Sequence, residues 1–576
     1  MSLFEKWSHP HAAEMSMGGS ASPLCEDEPV TEGGADSRGE PIMRRGNEHR
    51  GGRILANSAI MTIGQIVVVA IGFILTPVII SNVGIAMFGA WAIFTTAAGY
   101  ITVLDPGTSG IVARFGAMAH VRGDTKEMAR LTSLGLASWV FLGLLVAPVM
   151  WFVIPVLSSH LHVPHTSTHQ LVVFFWWGYA LVIFTAMQAV LSGQLTAIGL
   201  LWITTVIDVA TRLLYGVVLV IGFVVGLELW ALILASFVQG IVVALATFVV
   251  AWRRNGFPLG NPARLDRAVF REVRRFGGWA QITSILNTLT YSTDPIVIGT
   301  FVSAGAAGVA NLGSRLARQI PYFATVPEAT LPAMSASQQA GEGREAIARM
   351  SIRSNRISFL LGAGIGSIIV GAAPVILAFW QGRSYSQADL ATCIVAASML
   401  ASMLGQTAGI GIYAMGKVGY GVRARFAGFA VNLVATIALA IPFGMPGVLL
   451  GTLLATVTTN AYLQIRVNQL LSLSGWTSVW KWMLPLMAAV APAILVDRLM
   501  IALMPVSVEH HRMPALAALG VVLVVNYVVL IAGLRAWRYL DQQDVTFLRR
   551  SLPGPMRKLL RPRVVHLLIR PEKVGP

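Results

Sequence analysis

Residues 201–255 read LWITTVIDVATRLLYGVVLVIGFVVGLELWALILASFVQGIVVALATFVVAWRRN. An apolar run over 200–225 gives way to the short connection Val225–Glu228, a second apolar run fills 229–251, and Arg253 and Arg254 follow at once. A run of roughly 20 apolar residues is what crosses about 30 Å of hydrocarbon. Inside lipid the backbone must satisfy its own polar groups, so each run is a helix. The unit of two spans, a short turn between them and a basic connection after them repeats along the whole chain. Candidate spans lie at about 54–80, 86–104, 131–157, 170–191, 200–225, 229–251, 277–300, 305–330, 357–380, 388–415, 424–442, 446–465, 482–504 and 513–533. The expected fold is therefore an all-α polytopic membrane protein of about 14 transmembrane helices.

Charge placement supports that reading. Of 42 Lys and Arg, 36 fall in 1–53, 105–130, 252–276, 331–356, 414–426, 465–482 and 534–576, which are alternate connections and the two tails. The opposite loops hold Arg383 and Arg512. This is the positive-inside pattern, and it predicts both termini in the cytoplasm of a bacterial inner membrane. The net charge of +16 then faces anionic membrane lipid and gives no reason to expect nucleic acid. Cys25 falls in the N-terminal tail and Cys393 in a span, so no disulfide is expected.

The expected organisation is a disordered cytoplasmic tail over 1–53, a six-helix lobe over 54–252, a basic connection over 253–276, a second six-helix lobe over 277–466, two further helices over 467–533 and a basic tail over 534–576. A faint repeat supports the two lobes. Thr76-Pro77 precedes an apolar run and Phe88-Gly89-Ala90-Trp91, and Asp294-Pro295 precedes a similar run and Ala307-Gly308-Val309-Ala310. Repeated halves place a binding site at their interface. Pro77, Pro295, Pro321, Pro327 and Pro442 mark kinks, which are either hinges or ordinary membrane-helix prolines.

Ionisable groups inside spans are the sharpest functional signal, because each is costly in hydrocarbon. In the eighth span Asn311, Arg315, Arg318, Tyr322 and Thr325 recur on one helical face. That face lines a cavity, meets inner-leaflet headgroups or pairs with a structural carboxylate; two Arg with Asn and Tyr exceed what snorkelling needs, which favours an anion-binding cavity. The seventh span carries Thr283, Asn287, Thr290 and Asp294 on one face. Asp208 and Arg212 stand at i, i+4 in the fifth span, where a structural pair is one reading. Trp91, Thr95, Thr102 and Asp105 form a stripe on the second span, and Ser58, Thr62, Gln65 and Thr76 on the first. The expected substrate-binding set is Arg315, Arg318, Asn311, Tyr322, Asn287 and Gln65, and Asp105, Asp208 and Asp294 are candidates for coupling to an ion gradient.

Other motifs carry less. Residues 411–418, GIYAMGKV, end in Val where a phosphate loop needs Ser or Thr, and no strand precedes them. His160, His162, His165 and His169 crowd one loop without carboxylate or thiolate company. Gly362 and Gly366 read as close helix packing. No cofactor, no metal and no catalytic site is expected.

Three stretches carry a resemblance: Ser81-Asn82-Val83-Gly84 with Phe88-Gly89-Ala90-Trp91; Leu104-Asp105-Pro106-Gly107 with Ala113-Arg114; and Asp294-Pro295-Ile296-Val297-Ile298-Gly299 with Gly308 and Ala310. Through them the chain from the first span to the twelfth resembles the polysaccharide (O-antigen and exopolysaccharide) flippases of the multidrug/oligosaccharidyl-lipid/polysaccharide (MOP) exporter superfamily. Pro106 stands where that family usually has Leu, and Asn311 follows where it often has a nearby Tyr. The resemblance implies a transporter that moves an undecaprenyl-pyrophosphate-linked oligosaccharide between leaflets by alternating access. It further implies partners among polysaccharide polymerases and chain-length regulators. The alternatives it leaves are a flippase for the lipid-linked peptidoglycan precursor and a drug/cation antiporter of the same superfamily. A membrane polymerase or ligase would need a large outer loop, and the outer loops here are short.

Overall fold

The computed structural model describes residues 42–103, 108–161, 166–256, 259–262, 285–286, 288–290, 292–321, 344–382, 385–415, 417–471, 477–504, 512–537 and 539–540. The chain divides into two compact units, Met1–Ala59 and Ile60–Pro576, and everything below concerns the second.

The described residues are all-α. The helices are α1 (Ile42–Val103), α2 (Thr108–Val121), α3 (Thr125–His160), α4 (Thr168–Ala197), α5 (Leu201–Val224), α6 (Leu229–Asn255), α7 (Asp294–Phe301), α8 (Ala304–Ala317), α9 (Arg344–Gly371), α10 (Ala373–Gln381), α11 (Ser386–Ala414), α12 (Val418–Phe443), α13 (Met445–Leu470), α14 (Thr477–Ala502) and α15 (Arg512–Ala536). Eleven of them are long and apolar enough to cross a membrane. They are also apolar on their outer surfaces, as a bilayer requires. On α3, Phe141, Leu144, Leu145 and Phe152 are exposed while Trp139, Gly143 and Val146 are buried.

Local chemistry explains the ends. Asp124 caps α3 by accepting the Glu127 amide at 2.8 Å. Ser167 and Gln170 close a reciprocal capping box on α4. The first two spans are two helical segments of α1 that meet at a sharp break at Gly84, whose φ of 80° only glycine adopts without strain. The expected basic connection over 105–130 also differs. It contains α2, which buries Ile111, Val112 and Phe115 against neighbouring helices. The expected span at 305–330 is helical over Ala304–Ala317, then closes in a tight turn in which Ile320 donates to Ala317. Pro321, with no N–H and a bias against helix at the residue before it, accounts for that break, and 322–330 lie outside the described residues.

Strongly packed helix pairs fall into two sets, one among α2 to α6 and one among α7 to α15. The sets meet along α1. Gly89 lies so close to Ala304 that an added Cβ would clash with its carbonyl, and Gly308 stands in the same relation to Ile85. Gly299 likewise faces Ile93. Gly362 and Gly366 receive Met403 and Leu400 of α11, a small-residue contact of the expected kind.

Candidate functional site

The site begins with a proline in α1. Pro77 interrupts the helical ladder just after Thr76, a fully buried residue whose hydroxyl donates to the Gly72 carbonyl at 2.7 Å. That hydroxyl oxygen also accepts from Arg315 of α8 at 2.8 Å. The Arg315 Nε donates to Asn311 Oδ1, one turn back, at 3.1 Å. Its guanidinium lies 4.9 Å from the centre of the buried Phe88 ring on α1, a cation–π placement. Arg315 thus joins two parts of α1 to α8.

A second cation approaches from α5. The Arg212 guanidinium sits 5.7 Å from the centre of the Tyr215 ring. The charges of Arg212 and Arg315 both act at the Tyr215 hydroxyl, with Ser236 beside it. Asp208, the expected partner of Arg212, is exposed on α5 and makes no ion pair with it. Among the described residues, ion pairs join Arg122 to Glu127 and Arg498 to Asp389; Arg212, Arg315 and Arg318 form none, though the Arg212 charge acts on Asp208 and the Arg318 charge on Asp294. Arg318 caps the C-terminus of α8 and is exposed, where a cation complements the helix dipole.

Asp294 goes elsewhere. It is 6% exposed, and the Thr452 hydroxyl of α13 donates to its carboxylate at 2.6 Å. Asn432 of α12 donates to the same Thr452 oxygen at 3.1 Å. Thr290, on the same expected face, is buried with its hydroxyl on the Leu286 carbonyl. This part of the seventh-span stripe is turned towards α12 and α13.

The structure therefore brings together Arg315, Asn311 and Thr76 from the sequence-derived candidates, and keeps Asp294 apart from them in a polar cluster of its own. Gln65 is exposed on α1, 11 residues before Thr76, about 16 Å along a helix axis. Trp91 packs on Phe94 and Phe174, and Thr95 bonds its own backbone. Asp105, Asn287 and Tyr322 lie outside the described residues, as do Thr283, Thr325, His162 and His165. Sequence reasoning missed Phe88 and Tyr215, because an aromatic in a span reads as lipid-facing or core until its arginine neighbour is seen. It also missed the Arg498 cluster. Arg498 grips Asp389 with Nη1 at 2.6 Å and Nη2 at 2.7 Å, beside the Cys393 thiol. The neighbouring Asp497 is fully buried, receives the Asn526 amide, and has one oxygen without a hydrogen-bond partner.

Residues 54–338 match the family model described as polysaccharide biosynthesis protein. A Bacillus subtilis (strain 168) protein, the uncharacterized membrane protein EpsK, is 21% identical over 314 residues. That match covers 54% of this chain and 62% of the relative, less than two thirds of the relative's length. Among solved structures, the lipid II flippase MurJ in an inward closed conformation aligns with a TM-score of 0.61 at 12% identity, over 87% of this chain and all of that one. An inward-facing multidrug resistance MATE transporter of the MOP superfamily aligns with a TM-score of 0.56 at 13% identity, over 71% of this chain and 96% of that one. These likenesses establish the fold.

Proposed function

We propose that this chain, whose residues 54–338 match the polysaccharide biosynthesis protein family and whose fold is like that of MOP-superfamily proteins, moves a polyprenyl-pyrophosphate-linked oligosaccharide across the membrane. The observation that carries this reading is Arg315. It is a guanidinium inside a membrane-spanning bundle, held by Thr76, Asn311 and the Phe88 ring, and no described carboxylate neutralises it. Burying an unneutralised cation in lipid is costly and marks a functional site. A pyrophosphate headgroup supplies the missing charge, and guanidinium binds phosphate oxygens in a two-pronged geometry. Arg212 across Tyr215 and Arg318 at the end of α8 add positive potential on either side.

The cycle follows from that placement. The two helix sets meet near Gly84 and Gly308, which supports a state closed at that end and receptive at the other. With 54–252 and 277–466 as rocking lobes and both termini cytoplasmic, cargo enters from the inside, engages Arg315 with its pyrophosphate, and leaves outward after the lobes rock. Sugar hydroxyls then meet Asn311, Asn287, Tyr322 and Gln65 while the polyprenyl tail stays in lipid. Asp294, with Thr452 and Asn432, is the best placed of the ion-coupling candidates; Asp105 and Asp208 are the others. A polymerase and a chain-length regulator are the expected partners downstream.

A second reading has its own support: the MurJ likeness spans most of this chain, so a lipid-linked peptidoglycan precursor is the alternative cargo. An unpaired cation beside the seam weighs against cationic drugs. The test is genetic. Arg315→Ala with Arg318→Ala abolishes surface polysaccharide while the protein remains in the membrane at wild-type level. Unchanged polysaccharide overturns the proposal, and loss of cell-wall synthesis with intact polysaccharide selects the alternative cargo.

A further inference from the structure

In an α-helix the N–H of residue i+4 donates to the carbonyl of residue i, and proline has no N–H to give. Pro77 stands four residues after Phe73, so the Phe73 carbonyl loses its helical donor. A side chain from a distant part of the chain fills the gap: Trp380 of α10 donates its indole N–H to the Phe73 oxygen at 2.6 Å. The two rings stack with centroids 4.5 Å apart. The same event occurs once more. Pro374 stands four residues after Val370, at the break between α9 and α10 where Ala372 leaves helical geometry (φ −92°, ψ 6°). Here Arg498 of α14 donates to the Val370 carbonyl while its fork holds Asp389. Gly371 is compelled by the same packing, since a Cβ there would lie 2.3 Å from the Asp497 carboxylate.

A carbonyl orphaned in a lipid-embedded bundle seeks whatever donor is near. Two such carbonyls, each met by a donor from another element, define α10. Its base is fixed by α14 through Arg498, and its tip reaches α1 through Trp380. The α1 residue next to Pro77 is Thr76, the partner of Arg315, so the strut ends within one turn of the cation.

We propose that α10 is a hinged strut and that Trp380 is a positioning residue: its bond to the Phe73 carbonyl latches the end of the bundle that carries Gly84 and Gly382, and that bond is released when this end opens. The inference rests on the reading of the chain as an alternating-access transporter, but not on the identity of the cargo. The Trp380 N–H has value as a latch only while Pro77 denies Phe73 an internal donor. This gives the test an internal control.

Spin labels on Asn82→Cys and Gln387→Cys, exposed residues on either side of the seam, report the separation at that end in liposomes without cargo, in a background where Cys25 and Cys393 are Ser. Trp380→Phe keeps the ring and loses the N–H. It should shift the closed-to-open ratio about five- to tenfold towards open, the size expected for one buried carbonyl left bare. Pro77→Ala restores the internal donor, so in that background Trp380→Phe should shift the ratio less than about twofold. No shift in the first case, or an equal shift in both, overturns the latch. Should Trp380→Phe fail to insert, hydrogen exchange of the Trp380 indole N–H decides: at least fivefold faster exchange in Pro77→Ala supports the latch, and equal exchange removes it. Export measured separately on Arg315→Ala tests the cargo reading, so the two fail independently.

Discussion

At the scale of single residues, the molecule repeatedly answers a lost or costly polar interaction with a partner from far along the chain. Thr76 and Arg315 are 239 residues apart and meet at 2.8 Å. Thr76→Val keeps shape and volume and removes the acceptor. It should lower export about three- to tenfold with membrane levels unchanged, because Arg315 keeps Asn311 and Phe88 but loses its hydrogen bond to the Pro77 end of α1. Lysine at 315 should restore less than a tenth of wild-type export, since an ammonium lacks the planar fork that reaches Asn311 and Thr76 together. Arg498 is a different case. Its pair with Asp389 is 30% and 21% exposed and ties α14 to α11. Arg498→Ala should destabilise the protein by about 2 kcal/mol, below the range of fully buried pairs because solvent reaches this one. A lower unfolding midpoint in detergent that Asp389→Asn partly recovers would confirm the pairing; no change in midpoint would contradict it.

At the scale of elements, apolar length was legible in the sequence, and interruptions were not. Residues 201–255 gave two helices with ends near those read from the chain, since each apolar run has about the length a bilayer needs and turns at Gly226 and Gly256. The stretch after Pro106-Gly107 read as a connection because Arg114 and His120 interrupt its apolar run. It nevertheless forms α2, whose Phe115 and Ile111 find cover against other helices. The eighth span read as one long polar face. The described helix breaks after Ala317, so Arg315 and Arg318 occupy different settings, one half-buried and bonded, one exposed at a C-terminus, while Tyr322 and Thr325 lie outside the described residues. Spacing gave Asn311 and Arg315 as neighbours, which the 3.1 Å bond bears out. Spacing also joined Asp208 to Arg212, and there the tertiary environment won, because a buried tyrosine ring lay within reach of the guanidinium. No pattern in α1 or α10 alone announces Trp380 on Phe73. The usable signal was a proline four residues beyond each orphaned carbonyl.

Close approach between elements gives a further test. Gly89 and Gly308 let α1 and α8 touch backbone to backbone. Gly308→Val should keep that end from closing, and the spin labels on residues 82 and 387 should then report the longer separation in nearly all molecules. A distance distribution like that of the wild type would show that the seam is not the closing surface.

At the scale of the whole molecule, eleven helices among the described residues are long and apolar enough to cross a membrane and the fold is like that of MOP-superfamily proteins, and under the proposed function the arrangement of polar groups accounts for how a charged head on a lipid tail is handled. Asp294 is sealed among α7, α12 and α13, Asp497 between α14 and α15, and the unneutralised arginines gather where α1, α5 and α8 converge. Arg315 itself forms no ion pair with a described carboxylate, which leaves its charge available to a phosphate. Asp294→Asn should therefore leave cargo binding within about twofold of wild type and abolish the dependence of export on an ion gradient; loss of binding would place Asp294 in the cargo site instead. The most direct test of the central claim is flipping of a fluorescent polyprenyl-pyrophosphate-linked oligosaccharide in proteoliposomes, wild type against Arg315→Ala. The account predicts at least a tenfold slower rate at equal reconstitution, and a rate equal to wild type would contradict it.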